Sequence, residues 1–252
     1  MQHATDSAST AGCMATGHKS AVGMLSVNLY EEDASTIVED AMMCGKAGGV
    51  VTSVPVLHAT PAAFVSHSNN RKNAAQLKAS FKDVNPTLTM GACNGGTQPS
   101  EAHKESMLDG GALSSSWTFL YQGKDNATAD NFYDSIQDLD PDEEQHLLVC
   151  LGGQYSESKE SNLPFRGLDS TYANRWCGDA EQVKDIDDKL TGYLPNSKLC
   201  DHYSAAEVAE IPSMAKNVAE AIKFLGKDDD GFFMMYEQGD VSSLFCSCSL
   251  LY

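Results

Sequence analysis

Residues 48–71 read GGVVTSVPVLHATPAAFVSHSNNR, and this stretch decides the fold class. Its first part, 48–57, is apolar and β-branched, the composition of a buried strand. The second part, 60–71, opens with Thr60 in a capping position and Pro61 at the first helical position, so a helix is predicted to start there. Strand followed directly by helix is the unit of a parallel sheet. Ligands of such sheets sit beyond the carboxyl ends of the strands. His58 and Thr60 fall at that end.

The same alternation runs along the chain. TLTMGA (87–92), WTFLY (117–121), HLLVCLGG (146–153) and GFFMMYE (231–237) read as short buried strands. STIVEDAMMCGKAGG (35–49) reads as a helix ended by glycines. IPSMAKNVAEAIKFLG (211–226) places Met214, Val218, Ala221, Ile222 and Leu225 on one helical face. The predicted architecture is an α/β three-layer sandwich around a mostly parallel central sheet. Residues 1–252 form one domain, with a polar, loop-rich excursion around 154–205 and no internal repeat.

Composition narrows the function. The chain carries 35 acidic against 17 basic side chains, a net charge of −18. That argues against the basic face of a nucleic-acid binder and against binding anionic membranes. No apolar run of about 18 residues exists, so no transmembrane helix is predicted. The first residues lack the basic start and apolar stretch of a secretory signal, so an export signal would have to lie outside this chain. Eight cysteines, at 13, 44, 93, 150, 177, 200, 246 and 248, include no C-x-x-C pair, which removes zinc-ribbon and thioredoxin readings. Most read as buried apolar side chains. Cys177 and Cys200 bracket a polar insert and are candidates for a disulfide. Asn126-Ala127-Thr128 is a glycosylation sequon.

The segment TDSASTAG (5–12) has two readings. Ser7 is an N-cap, a role serine favours. Alternatively it is a nucleophile facing an anion at a helix start, where free N–H groups and the helix dipole favour negative charge. GCMATGHKS (12–20) misses the phosphate-loop pattern because His18 precedes Lys19 and no strand leads into it. No G-x-S-x-G elbow or H-E-x-x-H motif occurs.

Three segments in order carry a family resemblance: TDSASTAG, HATPAAFVSHSNNR (58–71) and GFFMMYEQGDV (231–241). Together they resemble the alkaline phosphatases. The resemblance implies an alkaline-phosphatase-like fold and hydrolysis of phosphate monoesters through a phosphoserine at Ser7. It implies two Zn2+ ions, one of them on Ser7, and one Mg2+. Arg71 would grip two phosphate oxygens bidentately, a fit lysine cannot copy. Asp6 would hold Arg71 by an ion pair. Thr60 and Glu237 would give oxygen ligands to magnesium, a hard cation, and His58 would stand near its water shell. The substrate is a small phosphomonoester, a homodimer is compatible with the resemblance, and the implied location is extracellular, periplasmic or cell-surface.

Each residue also has a plain structural reading. Thr60 before Pro61 is a cap, His58 a strand-end histidine, Arg71 a solvated helix-end charge, and His67 a surface or core histidine. Glu237 follows five apolar residues, a poor place for an unpartnered carboxylate. The zinc ligands depart from the family. Ser242 and Cys246 stand where the family has aspartate and histidine, and its other zinc ligands are expected before residue 1 and after residue 252. The expectation is therefore a partial family domain, with a non-catalytic phosphate- or metal-binding remnant as the alternative to a phosphatase. A serine hydrolase of another type has no triad or oxyanion signature behind it.

Overall fold

The computed structural model describes residues 5–92, 117–121, 129–141, 146–151 and 214–238. Predictions that fall on Cys177, Cys200, the sequon, Ser242, Cys246 and the 154–205 excursion lie outside the described residues. Five strands form one sheet: β1 (Ala47–Pro55), β2 (Leu88–Ala92), β3 (Trp117–Tyr121), β4 (His146–Leu151) and β5 (Phe232–Glu237). Their spatial order is β3-β4-β2-β1-β5, and every pairing is parallel. The described helices are α1 (Ser7–Thr16), α2 (Ile37–Met43), α3 (Ala59–Val65), α4 (Ala74–Val84), α5 (Ala129–Gln137) and α6 (Met214–Leu225).

Strand parity builds the layers. Successive side chains on a strand point to opposite faces. Val50, Trp117, Phe119, Leu148 and Cys150 enter one core cluster with α1, α3 and α4. Ala47, Val51, Leu88, Met90, Leu147 and Val149 enter a second with α5 and α6. Two apolar clusters on opposite sheet faces make the predicted three-layer sandwich.

The run of small residues in α1 has a packing reason. Ala8, Ala11 and Ala15 recur at helical spacing, are buried, and share a cluster with Ala59, Ala62 and Ala63 of α3. Side chains this small let the two helices pack closely. α1 closes at Gly17, at φ 72°, whose N–H donates to the Cys13 carbonyl.

Several local predictions need correction. Asp6 caps α1, accepting from Ser9 N, so Ser7 is the first helical residue and not the cap. His58 is the N-cap of α3, which moves Thr60 and Pro61 inside the first turn. That helix ends at Val65, because Ser66 is extended (φ −163°, ψ 163°) and the chain turns to bridge Leu25 with Ser68. α2 is shorter than 35–49; Thr36 starts it through a capping box with Glu39, and Ala47 already belongs to β1. β5 is not fully buried, since Phe232 and Tyr236 are exposed. Ile222 is exposed too, and the buried face of α6 carries Asn217, Glu220, Ala221, Phe224 and Leu225. Cys150 is buried, but Cys44 is exposed at the C-cap of α2.

Candidate functional site

The start of α1, the loop after α1 at Gly23 and the turn between α3 and α4 meet at Asp6. Its Oδ1 accepts from Ser9 N (3.1 Å), Ser9 Oγ (3.0 Å) and Gly23 N (3.1 Å). Its Oδ2 accepts from Arg71 Nη1 at 3.1 Å. Burial pushes the Asp6 carboxyl up, but the Ser9 and Gly23 N–H groups, then the Arg71 guanidinium and the Ser9 hydroxyl, outweigh it and hold the pKa at about 2. Asp6 is therefore a carboxylate at neutral pH, committed on both oxygens.

Arg71 lies in the turn between α3 and α4. Its backbone N–H donates to the Gly23 carbonyl at 2.8 Å. Nη2 approaches His58 Nε2 at 3.5 Å, too long for a firm bond. Beyond Asp6, then, the guanidinium fork keeps donors for another acceptor. Burial and then the charge of Arg71 lower the His58 pKa, so this imidazole is neutral at pH 7. His58 Nδ1 is buried without a partner. Ser7 is exposed on the first turn of α1, directly after the Asp6 that holds Arg71.

Glu237 ends β5 beside the end of β1. The parallel register pairs it with Thr52, whose hydroxyl donates to Glu237 Oε2 at 2.8 Å and accepts from Val54 N at 3.2 Å. Among the described residues no basic side chain pairs with Glu237. α3, which carries Thr60, packs against β5 and against α1. Direct contacts thus join Asp6, Arg71 and His58 in one group and Glu237 and Thr52 in another; Ser7 and Thr60 are placed by α1 and α3, and neither side chain hydrogen-bonds to the described residues of either group. Sequence reasoning did not find Thr52 or Gly23. Thr52 becomes visible only through strand register, and Gly23 only through backbone bonds.

His67 resolves as a core histidine away from this group. Its Nδ1 lies 2.8 Å from the Ser26 carbonyl and its Nε2 3.2 Å from Glu39.

Residues 1–112 match the family model described as alkaline phosphatase. The alkaline phosphatase of Escherichia coli strain K12 is 30% identical over 245 residues, covering 95% of this chain and 49% of that protein. The chain is related to the alkaline phosphatases. It spans about half the length, 40–49%, of the curated relatives that it matches along 95% of its own length. Among solved alkaline phosphatases, the cold-active enzyme from Shewanella sp. superposes at TM-score 0.58 with 19% identity, covering 98% of this chain and 48% of that one. A mutant alkaline phosphatase from the Antarctic bacterium TAB5, with Mg bound in its M3 site, superposes at TM-score 0.55 with 19% identity, covering 97% and 56%. The α/β sandwich predicted from sequence is that of the alkaline phosphatases.

Among the described residues no three His, Cys, Asp or Glu side chains group as a metal site needs. A three-ligand zinc site does not fit the described residues. The Glu237 carboxylate and the Thr60 hydroxyl are oxygen donors, the kind magnesium takes together with water.

No described helix is long and apolar enough to cross a membrane.

Proposed function

We propose that this chain binds the phosphoryl group of a small phosphate monoester at Arg71 and the start of α1, and that Ser7 is the residue phosphorylated. The observation that carries the reading is the Asp6–Arg71 pair at 3.1 Å. A carboxylate fixed by three donors of Ser9 and Gly23 anchors one nitrogen of the guanidinium, and the fork keeps donors for two oxygens of an anion. The first turn of α1 adds its free N–H groups and its dipole. In the reaction the Ser7 Oγ–P bond forms as the ester P–O bond breaks, the alcohol leaves with a proton, and water later cleaves the phosphoserine. Neutral His58 adds no second positive charge, so Arg71 and the helix start supply the local attraction.

Thr60 and Glu237 are proposed as magnesium donors, with Thr52 holding one Glu237 oxygen. Magnesium bound there would offset phosphate charge. A second reading, anion binding without turnover, is favoured by the lack of a three-ligand metal group among the described residues. Ser7-dependent release of p-nitrophenol from p-nitrophenyl phosphate separates the two.

The test is calorimetric titration of the 252-residue chain with inorganic phosphate. Arg71→Ala removes a charge-assisted bidentate contact worth about 1.5–3 kcal/mol, so affinity falls by roughly 10- to 150-fold. Unchanged affinity in Arg71→Ala refutes the site.

A further inference from the structure

The Asp6–Arg71 pair is closed by a third residue. Gly23 N–H donates to Asp6 Oδ1 at 3.1 Å. The Gly23 carbonyl accepts from the Arg71 backbone N–H at 2.8 Å. Two further rungs follow: Leu25 N donates to the Ser68 carbonyl (2.8 Å) and Ser68 N to the Leu25 carbonyl (2.9 Å). Residues 23–25 therefore form a short antiparallel clasp on 68–71, and its last rung lies under the arginine. One residue grips the carboxylate with its N–H and the arginine backbone with its C=O.

This double grip depends on backbone conformation. Gly23 has φ 85°, and a Cβ added there would meet nothing within 4 Å. A methyl group at this position would clash with nothing. What it changes is backbone preference, because residues with a Cβ disfavour positive φ. Relaxing φ toward negative values turns the N–H away from Asp6 or the C=O away from Arg71.

We propose that Gly23 is a positioning residue for anion binding, its left-handed peptide setting how the Asp6 carboxylate presents the Arg71 guanidinium. This rests on the reading that Arg71 binds phosphate. Geometry at such a site matters because a bidentate contact is lost when the fork is misaimed.

The fold supplies its own control. Gly17, the C-cap of α1, has φ 72° and equally open space at its Cβ position, yet its N–H serves only the Cys13 carbonyl. Alanine imposes a similar backbone cost at either glycine. Only Gly23 touches Asp6 and Arg71.

The experiment titrates inorganic phosphate into the full 252-residue chain as wild type, Gly23→Ala, Gly17→Ala, Gly23→Asn and Arg71→Ala, with urea unfolding of each. Gly23→Ala should weaken phosphate about tenfold, the equivalent of one misaligned charge-assisted bond. Gly17→Ala should stay within about twofold while losing similar unfolding stability. Gly23→Asn should recover much of the loss, since asparagine tolerates positive φ. Equal phosphate affinity in the two alanine variants, or no recovery with asparagine, overturns the proposal. If Gly23→Ala does not fold in buffer, the two alanine variants are compared in sucrose, which favours the folded state, and equal affinities again overturn the proposal. Lost binding in Arg71→Ala with intact binding in Gly23→Ala rejects the clasp alone. Intact binding in Arg71→Ala, or no phosphate binding by the wild type, rejects the anion site beneath it.

Discussion

Replacing Glu39 by glutamine should destabilise the chain only over a defined pH range. Both ring nitrogens of His67 face acceptors: the Ser26 carbonyl at 2.8 Å and the Glu39 carboxylate at 3.2 Å. A carbonyl and a carboxylate both need a proton from the ring, so the geometry calls for the imidazolium. Burial opposes that charge, but the Glu39 and Ser26 bonds outweigh it and raise the His67 pKa above 6.5. Burial likewise pushes Glu39 up, and the His67 and Thr36 bonds outweigh it and hold Glu39 below 4.5. The raised histidine contributes stability that is full below its unfolded pKa and is lost as pH rises through the folded value. The lowered glutamate contributes stability that is full above its unfolded pKa and is lost as pH falls through the folded value. The pair is thus at full strength between pH 4.5 and 6.5. Glutamine keeps an oxygen for the Thr36 N–H, a 2.7 Å bond in the capping box, but turns a charge-assisted bond into a neutral one. With Glu39 24% exposed, the loss is about 1–2 kcal/mol. Urea unfolding of wild type and Glu39→Gln from pH 4 to pH 9 reads it out. The gap should be widest near pH 5.5 and should narrow on the alkaline side as His67 deprotonates. A gap that stays flat across the series, or widens in alkali, would refute the reasoning.

Asp6→Ala should weaken inorganic phosphate less than Arg71→Ala, because Asp6 orients the guanidinium and does not touch the anion; calorimetry that ranks the two the other way contradicts this. Thr52→Val strips the donor from Glu237 Oε2 and the acceptor from Val54 N, and should cost about 1–3 kcal/mol in equilibrium unfolding. Thr52→Ser should restore most of that loss.

Strand composition made the sheet readable. WTFLY coincides with β3 residue for residue, because short apolar runs between polar segments have few other ways to bury themselves. The helix caps were harder. A cap is chosen by where the chain must turn, and at α3 that is His58, which makes no side-chain cap bond. The sequence reading of 35–49 missed the Thr36-x-x-Glu39 capping box that starts α2, and Glu39's second task needs His67, 28 residues away. The face of α6 was misread because Asn217 and Glu220 are polar. They are buried because α5 meets them, Tyr133 Oη donating to Asn217 Oδ1 at 2.6 Å and Gln137 Nε2 to Glu220 Oε2 at 2.8 Å. Polar residues that find partners across an interface defeat an apolar-stripe reading. Asp6 and Arg71 were legible through the family motifs alone. Thr52 and Gly23 act through register and backbone, which side-chain patterns do not record.

The charge of the chain and the charge of its proposed ligand point in opposite directions. At −18 the surface repels a phosphate ester at long range, but at physiological salt that field decays within about 8 Å. Recognition must therefore come from contacts shorter than that length. The described site has that form, with one guanidinium held by a committed carboxylate, a neutral histidine beside it and the start of α1 next in the chain. Spreading lysines over the surface would strengthen attraction to anions of every kind. A single oriented fork on an acidic protein favours the ligand whose oxygens match its spacing. The selectivity of such a site rests on how firmly Asp6 and Gly23 fix that fork.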